Sequence, residues 1–243
     1  MPTKAKPAAL RFTAWSWSRF NDHRRCAFYA SLKYLKKMKE PGGPAMQRGA
    51  DIHKLAEDYT RGKLAKLPPE LKLFKQEFAF LKKIKADVEG QLAVTKDWLP
   101  AGWFSEPGKP EPWLRVITDA RYETPKQTDI VTAIDHKTGK IYGDNEEQMS
   151  LYVPVIFAHY PKAKVAEVRL NYLDQGEEVV IRWHRDGFKK PGAQERKPSL
   201  AQLKETWTEK SRPILADKKF SPTPNEKCRY CHFRAANGGP CKY

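Results

Sequence analysis

Apolar residues recur at helical spacing through the first third of the chain and in strand-like runs after it. Ile52, Leu55, Ala56 and Tyr59 form an i, i+3, i+4, i+7 stripe that predicts a helix over about 45–61, closed off upstream by Pro41-Gly42-Gly43-Pro44. A third helix is expected after Pro68-Pro69, with Leu71, Phe74, Phe78, Leu81 and Ile84 facing inward. The first covers about 15–39, with an interruption near Asn21–Asp22 and a basic end at Lys33, Lys36, Lys37 and Lys39. Strands are predicted at 91–98, 113–122 and 129–137, the last rich in β-branched residues and stopped by Thr138-Gly139. A helix over 146–159 follows, with Pro154 expected to kink it. Strands at 164–173 and 177–184 flank the turn-like Asp174-Gln175-Gly176. A basic loop over 186–198 and a polar amphipathic helix over 199–212 complete the pattern, with no internal repeat and no long linker. Helices, three strands, a helix and two more strands predict one mixed α/β domain behind a basic flexible arm at 1–12.

Composition narrows the class. The 243 residues carry 45 Lys and Arg against 29 Asp and Glu, a net charge of +16. No run approaches the roughly 18 apolar residues of a membrane helix, and no apolar signal segment follows the start, so a cytoplasmic protein is expected. The positive excess suits a polyanion, because each cation that neutralises a phosphate releases condensed counterions. Basic clusters at Arg24–Arg25, Lys36–Lys39, Lys82–Lys85, Lys189–Lys190 and Lys218–Lys219 are candidates to follow a phosphate backbone, and the seven Trp and ten Tyr offer stacking partners. Cys228, Cys231 and Cys241 crowd the tail at 225–243 while Cys26 stands alone near the start, which is metal-ligand spacing rather than a disulfide framework.

Candidate chemistry collects at strand ends. Asp135 and Lys137, two apart on a strand, share one face. A carboxylate that holds an ion beside an ammonium that orients water suits metal-dependent phosphodiester hydrolysis. The acid-x-Lys spacing also occurs at Glu195/Lys197 and Asp217/Lys219, but only the Asp135 copy ends an apolar strand. Asp119 closes the preceding strand, so the two acids are expected on one sheet edge, as hard ligands for Mg²⁺ or Mn²⁺. His53 and Glu57 share a helix face opposite the apolar stripe; taken alone His53 reads as a surface histidine, and as a ligand it favours Mn²⁺. Gln148 and Tyr152 form another i, i+4 pair, with Tyr152 open to a role in the core.

Together these residues resemble a known family. Trp17-Ser18-Arg19-Phe20 with Cys26 and Tyr29 resembles the opening "S-x-L…C-P…Y" of RecB-like nucleases, with Ala27 in place of the proline. Arg48-Gly49-x-x-Ile52-His53 is similar to their "R-G-x-x-x-H", and Asp119 falls at "G-x-x-D", with Val116 for the glycine. Asp135-His136-Lys137-Thr138-Gly139-Lys140 is close to "D-x-K-T-G-K", and Gln148-x-x-x-Tyr152 to "Q-x-x-x-Y". The cysteines resemble those of AddB-type and CRISPR-adaptation members. The chain thus resembles the RecB-like branch of the PD-(D/E)XK superfamily over about 15–241, of the sort bacteriophages often carry.

The resemblance implies a single mixed-sheet, restriction-endonuclease-like core at 87–184 within a nuclease domain at 13–243. It implies that His53, Asp119 and Asp135 bind Mg²⁺ or Mn²⁺, that Lys137 acts on the nucleophilic water, and that Gln148 and Tyr152 line the DNA groove. Glu89, ahead of the first strand, sits where some relatives carry an auxiliary acid. Cys26, Cys228, Cys231 and Cys241 would hold a [4Fe–4S] cluster; structural Zn²⁺ on the same thiolates, or with His232 or His23 substituting, is the alternative. The implied function is a metal-dependent DNA exonuclease of recombination, repair or phage DNA processing, acting on single- or double-stranded ends with a possible annealing protein or helicase as partner. A metal-stapled nucleic-acid-binding protein without catalysis and a structure-specific endonuclease are the alternatives.

Overall fold

The computed structural model describes residues 10–125, 127–141, 145–187 and 197–243. Most of the arm expected at 1–12 and of the loop at 186–198, Lys189–Lys190 included, lies outside them. The chain divides into two compact units, one of Gly42–Trp207 and one that combines Met1–Pro41 with Thr208–Tyr243.

The larger unit is built on a six-stranded mixed sheet, in the order β2-β1-β3-β4-β5-β6. Its strands are β1 (Asp87–Val94), β2 (Pro100–Ala101), β3 (Leu114–Thr124), β4 (Gln127–Lys137), β5 (Val165–Tyr172) and β6 (Glu177–His184). Neighbours pair antiparallel except β4 and β5, which run parallel from Ile130↔Val165 to Lys137↔Tyr172. A parallel pair needs a crossover, and helix α5 (Asn145–His159) supplies it. The mixed α/β fold expected from the sequence is therefore the one observed.

Two helices cover one sheet face. Helix α3 (Pro44–Thr60) starts at Gly43 with Pro44 in its first turn, where a missing N–H costs nothing. Helix α4 (Lys75–Ile84) follows a 3₁₀ segment at Pro69–Phe74. Ile52, Ala56, Leu71, Phe78 and Leu81 from these elements pack on Val88, Ala120 and Ile134 of the sheet. On the other side α5 is apolar all round, with Met149, Leu151, Val153, Val155, Ile156 and Phe157 buried. At about 1.5–3 kcal/mol per large side chain, those residues contribute on the order of 10 kcal/mol of transfer free energy, which outweighs the cost of a proline inside the helix.

The sheet corrects two expectations. Strand β1 starts at Asp87 rather than near 91, so Glu89 lies within it and not ahead of it. Asp87, Glu89 and Gln91 alternate as polar residues around Gly90 and mask the strand signal, while the ladder to β3 from Asp87↔Arg121 defines it. The short β2 pairs Ala101 and Pro100 with Ala93 and Val94, a contact with no local sequence signature.

The smaller unit joins the two ends of the chain. Helix α1 (Trp17–Arg25) is capped by the Ser16 hydroxyl and stops at Cys26, whose backbone is extended (φ −166°, ψ 114°). Helix α2 (Ala27–Ala30) then continues as a π turn over Ser31–Leu35. The interruption expected at Asn21–Asp22 thus falls at Cys26 instead. Asp22 does not compete with the helix backbone, because its carboxylate accepts from Lys33 Nζ at 3.1 Å and Tyr34 Oη at 2.7 Å. Tyr29, Leu32 and Phe233 form the core of this unit, flanked by Cys26 and Cys231. Helix α6 (Leu200–Ala216) leads into it from the larger unit.

The tail folds back through Cys241, whose N–H donates to Phe233 O at 2.9 Å and whose carbonyl accepts from Ala235 N at 2.6 Å. Gly239 sits inside this loop, where a Cβ would overlap the carbonyl carbon and oxygen of Phe233. A backbone obstacle cannot swing aside, so Gly239→Ala should cost about 1–3 kcal/mol. Thermal melting checks this; an unchanged midpoint would show that the loop yields.

Candidate active site

The site lies where three strands of the larger unit meet side by side. Val88↔Ala120 and Gly90↔Thr118 bracket Glu89 and Asp119, placing these two residues opposite each other on β1 and β3. The β3–β4 ladder ends at Ala120↔Ile134, and the next positions along the two strands are Asp119 and Asp135. Glu89, Asp119 and Asp135 thus form one row across adjacent strands. Asp119 bridges the point where the ladder stops, for its Oδ2 accepts the His136 backbone N–H at 2.5 Å.

His53 of α3 reaches the row, with Nδ1 at 3.1 Å from Asp119 Oδ1. Ligand atoms of His53, Glu89 and Asp119 all lie within 4.8 Å of one another. One imidazole and two carboxylates are a donor set for Mg²⁺ or, better, Mn²⁺. The hydrogen bond to Asp119 raises the His53 pKa against the opposing effect of burial. Burial pushes the Asp119 carboxyl up, but His53, His136 and the backbone N–H outweigh it and hold the group below the ordinary carboxylate range. Glu89 is raised, first by burial and then by the Asp119 charge.

Glu89 also carries backbone strain, with φ at +54°. A non-glycine residue in that left-handed region costs about 1–2 kcal/mol. Sequence reasoning placed Glu89 outside the strand and did not count it among the ligands. The available signal was the Glu89-Gly90 pair inside an otherwise alternating run, a sign of irregular backbone.

Asp135, next in the row, faces Lys137 and helix α5. It is absent from the His53, Glu89 and Asp119 group and is bonded instead to β4 and α5. Its Oδ1 accepts from Tyr152 Oη at 2.9 Å and Gln148 Nε2 at 3.3 Å. Its Oδ2 lies 2.5 Å from Lys137 Nζ, close enough for an ion pair but outside hydrogen-bond angles. Lys137 Nζ donates to Gln148 Oε1 at 3.0 Å, and Gln148 Nε2 donates to Tyr152 Oη at 2.7 Å. Gln148 and Tyr152 are buried and turned onto this pair rather than open to a groove. Burial drives the Tyr152 pKa far up, so the phenol stays a proton donor to Asp135.

The surrounding loops are tied in. Arg48 grips Asp174 with two bonds of 2.9 and 2.6 Å, and Asp174 also accepts the Gly139 N–H at 2.7 Å. The "R-G" segment thus anchors α3 beside the end of β4, one turn before His53. His136 is buried, which lowers its pKa, and its ring packs 5.1 Å from that of Phe78.

The cysteines gather in the smaller unit. Cys26, Cys228, Cys231 and Cys241 are free thiols that line one pocket together with Arg25 and Arg234. Backbone N–H groups of Thr223 and Asn225 donate to Cys26 Sγ (3.5 Å) and Cys228 Sγ (3.3 Å). Burial raises the Cys231 pKa.

The sequence profile described as the PD-(D/E)XK nuclease superfamily matches residues 14–236. The chain belongs to this superfamily, whose members use divalent metal ions. Among solved structures, the protein SSO0001 is similar at 13% identity and a TM-score of 0.48, covering 99% of this chain and 91% of that one. A protein named "Putative exonuclease", from Eubacterium rectale, is similar at 14% identity and a TM-score of 0.48, covering 91% and 88%. No curated protein matches the sequence. No helix among the described residues is long and apolar enough to cross a membrane.

Proposed function

We propose that the protein is a metal-dependent DNA exonuclease of the RecB-like branch, with residues 13–243 as its nuclease domain and 87–184 as the catalytic sheet and helix. The observation that carries the reading is the row Glu89, Asp119 and Asp135 on three adjacent strands, with His53 and Lys137 at its side. His53, Glu89 and Asp119 would hold the ion, with Asp135 next to them in the row and paired to Lys137. A bound divalent ion supplies a lowered pKa for water and neutralisation of charge on the phosphate oxygens. Lys137 then orients the attacking water, and Gln148 and Tyr152 keep Lys137 and Asp135 in place. Cleavage is direct displacement at phosphorus, without a covalent intermediate.

The cysteine pocket fits a [4Fe–4S] cluster. Four thiolates match such a cluster in donor type, and Arg25 and Arg234, which line the same pocket, would compensate its negative charge. Tetrahedral zinc, with Zn–S near 2.3 Å, draws its sulfurs to about 3.8 Å apart. Zinc on the same four thiolates is the alternative, and metal analysis of the purified protein tells the two apart.

The test is degradation of end-labelled linear and closed circular DNA with Mg²⁺ or Mn²⁺. An exonuclease shortens the linear substrate, spares the circle and stops with EDTA. Nicked circles would replace the reading with an endonuclease, and binding without cleavage would replace it with a binding protein.

Glu89→Gln removes the charge but not the shape. Metal-free stability should hold or rise, because a buried carboxylate beside Asp119 is relieved, while Mn²⁺ affinity falls at least about tenfold. Calorimetric titration with a parallel melting curve checks both signs. Protons compete with the ion for His53, whose pKa is raised, so Mn²⁺ affinity should climb with pH through the region above about 6.5 and then level off. A flat profile across that window would remove His53 from the ligand set.

A further inference from the structure

The two units differ sharply in charge. Residues 1–41 and 208–243 carry 18 Lys and Arg against 5 Asp and Glu, which is +13 of the total +16. The remaining 166 residues, acid row included, hold 27 against 24, or +3. Four of the five acids in the small unit are already matched within it. Asp22 and Glu40 both face Lys33, at 3.1 and 3.3 Å, Asp217 faces His23 at 2.9 Å, and Glu209 faces Arg212 at 2.5 Å. Lys36, Lys37, Lys39, Lys218, Lys219 and Arg229 are exposed, so the surplus is presented to solvent.

Two aromatic rings stand out in the same unit. Tyr230 is 68% exposed, with the Arg229 guanidinium 4.7 Å from its ring centre. Tyr243 is 48% exposed, with the Lys242 ammonium 5.2 Å from its ring centre, and it borders the pocket that Arg25, Lys227 and Arg234 also line. Rings in water beside cations are the pairing that single-stranded nucleic acid uses, bases on the rings and phosphates on the charges. A duplex keeps its bases stacked on each other and gains only the charge term.

We infer that the cysteine-bearing unit carries a docking surface for single-stranded DNA, separate from the acid row, with bases stacked on Tyr230 and Tyr243 and phosphates on the neighbouring cations. The choice of DNA rests on the nuclease reading above; the surface itself does not.

The experiment measures fluorescence anisotropy of labelled oligo(dT), and of a duplex of equal length, with the full chain in EDTA over a range of salt. Arg229→Gln with Lys242→Gln removes two phosphate contacts, so the slope of log affinity against log salt should shrink by about 1.4 on the single strand. Tyr230→Ala with Tyr243→Ala should weaken oligo(dT) on the order of tenfold per ring, leave the salt slope and the duplex affinity unchanged, and be rescued by Phe at both positions. Unaltered affinity and slope in both variants at unchanged melting temperature would overturn the inference. Equal losses on duplex and oligo(dT) in the tyrosine variant would overturn it as well. Because nothing is cut in EDTA, the two readings fail separately. Binding that depends on these residues in a protein that cleaves nothing removes the nuclease alone, and cleavage without such dependence removes the docking surface alone.

Discussion

Asp135→Ala is expected to reduce metal-dependent cleavage by at least about 10³-fold while leaving salt-sensitive DNA binding in place. The carboxylate links the two halves of the site. It stands next in the row to Asp119, and it accepts from Tyr152 and Gln148 while facing Lys137 at 2.5 Å. Its loss leaves a buried phenol without its acceptor and the Lys137 ammonium without its counter-ion, at a cost of about 1–3 kcal/mol for the phenol. Asp135→Asn, which keeps an acceptor for Tyr152, separates that cost from the catalytic one. Lys137→Ala should lose a similar factor, and Lys137→Arg should not restore it, because a planar fork cannot replace a point charge bonded to Gln148 Oε1. Cleavage assays beside melting curves decide the matter. Equal activity in Asp135→Ala and the unaltered protein would place the site elsewhere.

Cys228→Ser is expected to act on the whole molecule. Joining Cys26 to the tail closes a loop of 201 intervening residues, and constraining a loop of that size restricts the unfolded chain by on the order of 5 kcal/mol. At roughly 2–4 °C per kcal/mol for a protein of this size, melting should fall by about 10–20 °C. Bound iron, or zinc, should be lost in the same preparation, measured by metal analysis. An unchanged melting temperature with full metal content would mean that Cys228 is no ligand.

The parts of the fold that were legible in the sequence are those whose pattern is local. The Ile52, Leu55, Ala56 and Tyr59 stripe and the Pro-Gly-Gly-Pro stop define α3 almost to its ends, and the β-branched run before Thr138 defines β4. What was hidden depends on distant partners. The helix break moved to Cys26 because Asp22 is satisfied by Lys33 and Tyr34, eleven and twelve residues on. Strand β1 begins at Asp87 because β3 pairs with it there, although its own polar residues argue for a loop. Glu89 joined the site for the same reason, since only the register shows that it faces Asp119. Asp119 and Asp135 were identifiable as strand-terminal acids, whereas the inward turn of Gln148 and Tyr152 followed from the packing of α5, which no spacing rule conveys.

The smaller unit is assembled from the first 41 residues and from residues 208–243, with the long sheet-bearing segment inserted between them. A ribosome therefore delivers Cys26 early and withholds its three companions until some two hundred residues later. During that interval the sheet, whose partners all lie within 42–207, is free to fold, while the N-terminal segment waits with Tyr29 and Leu32 lacking Phe233. On the proposal that the four cysteines hold a cluster or zinc, its loading falls at the end of biosynthesis, after translation has passed Cys241. Iron starvation or a delay in cofactor delivery would accumulate molecules with a finished sheet and an open terminus, and proteases would find them at that terminus first.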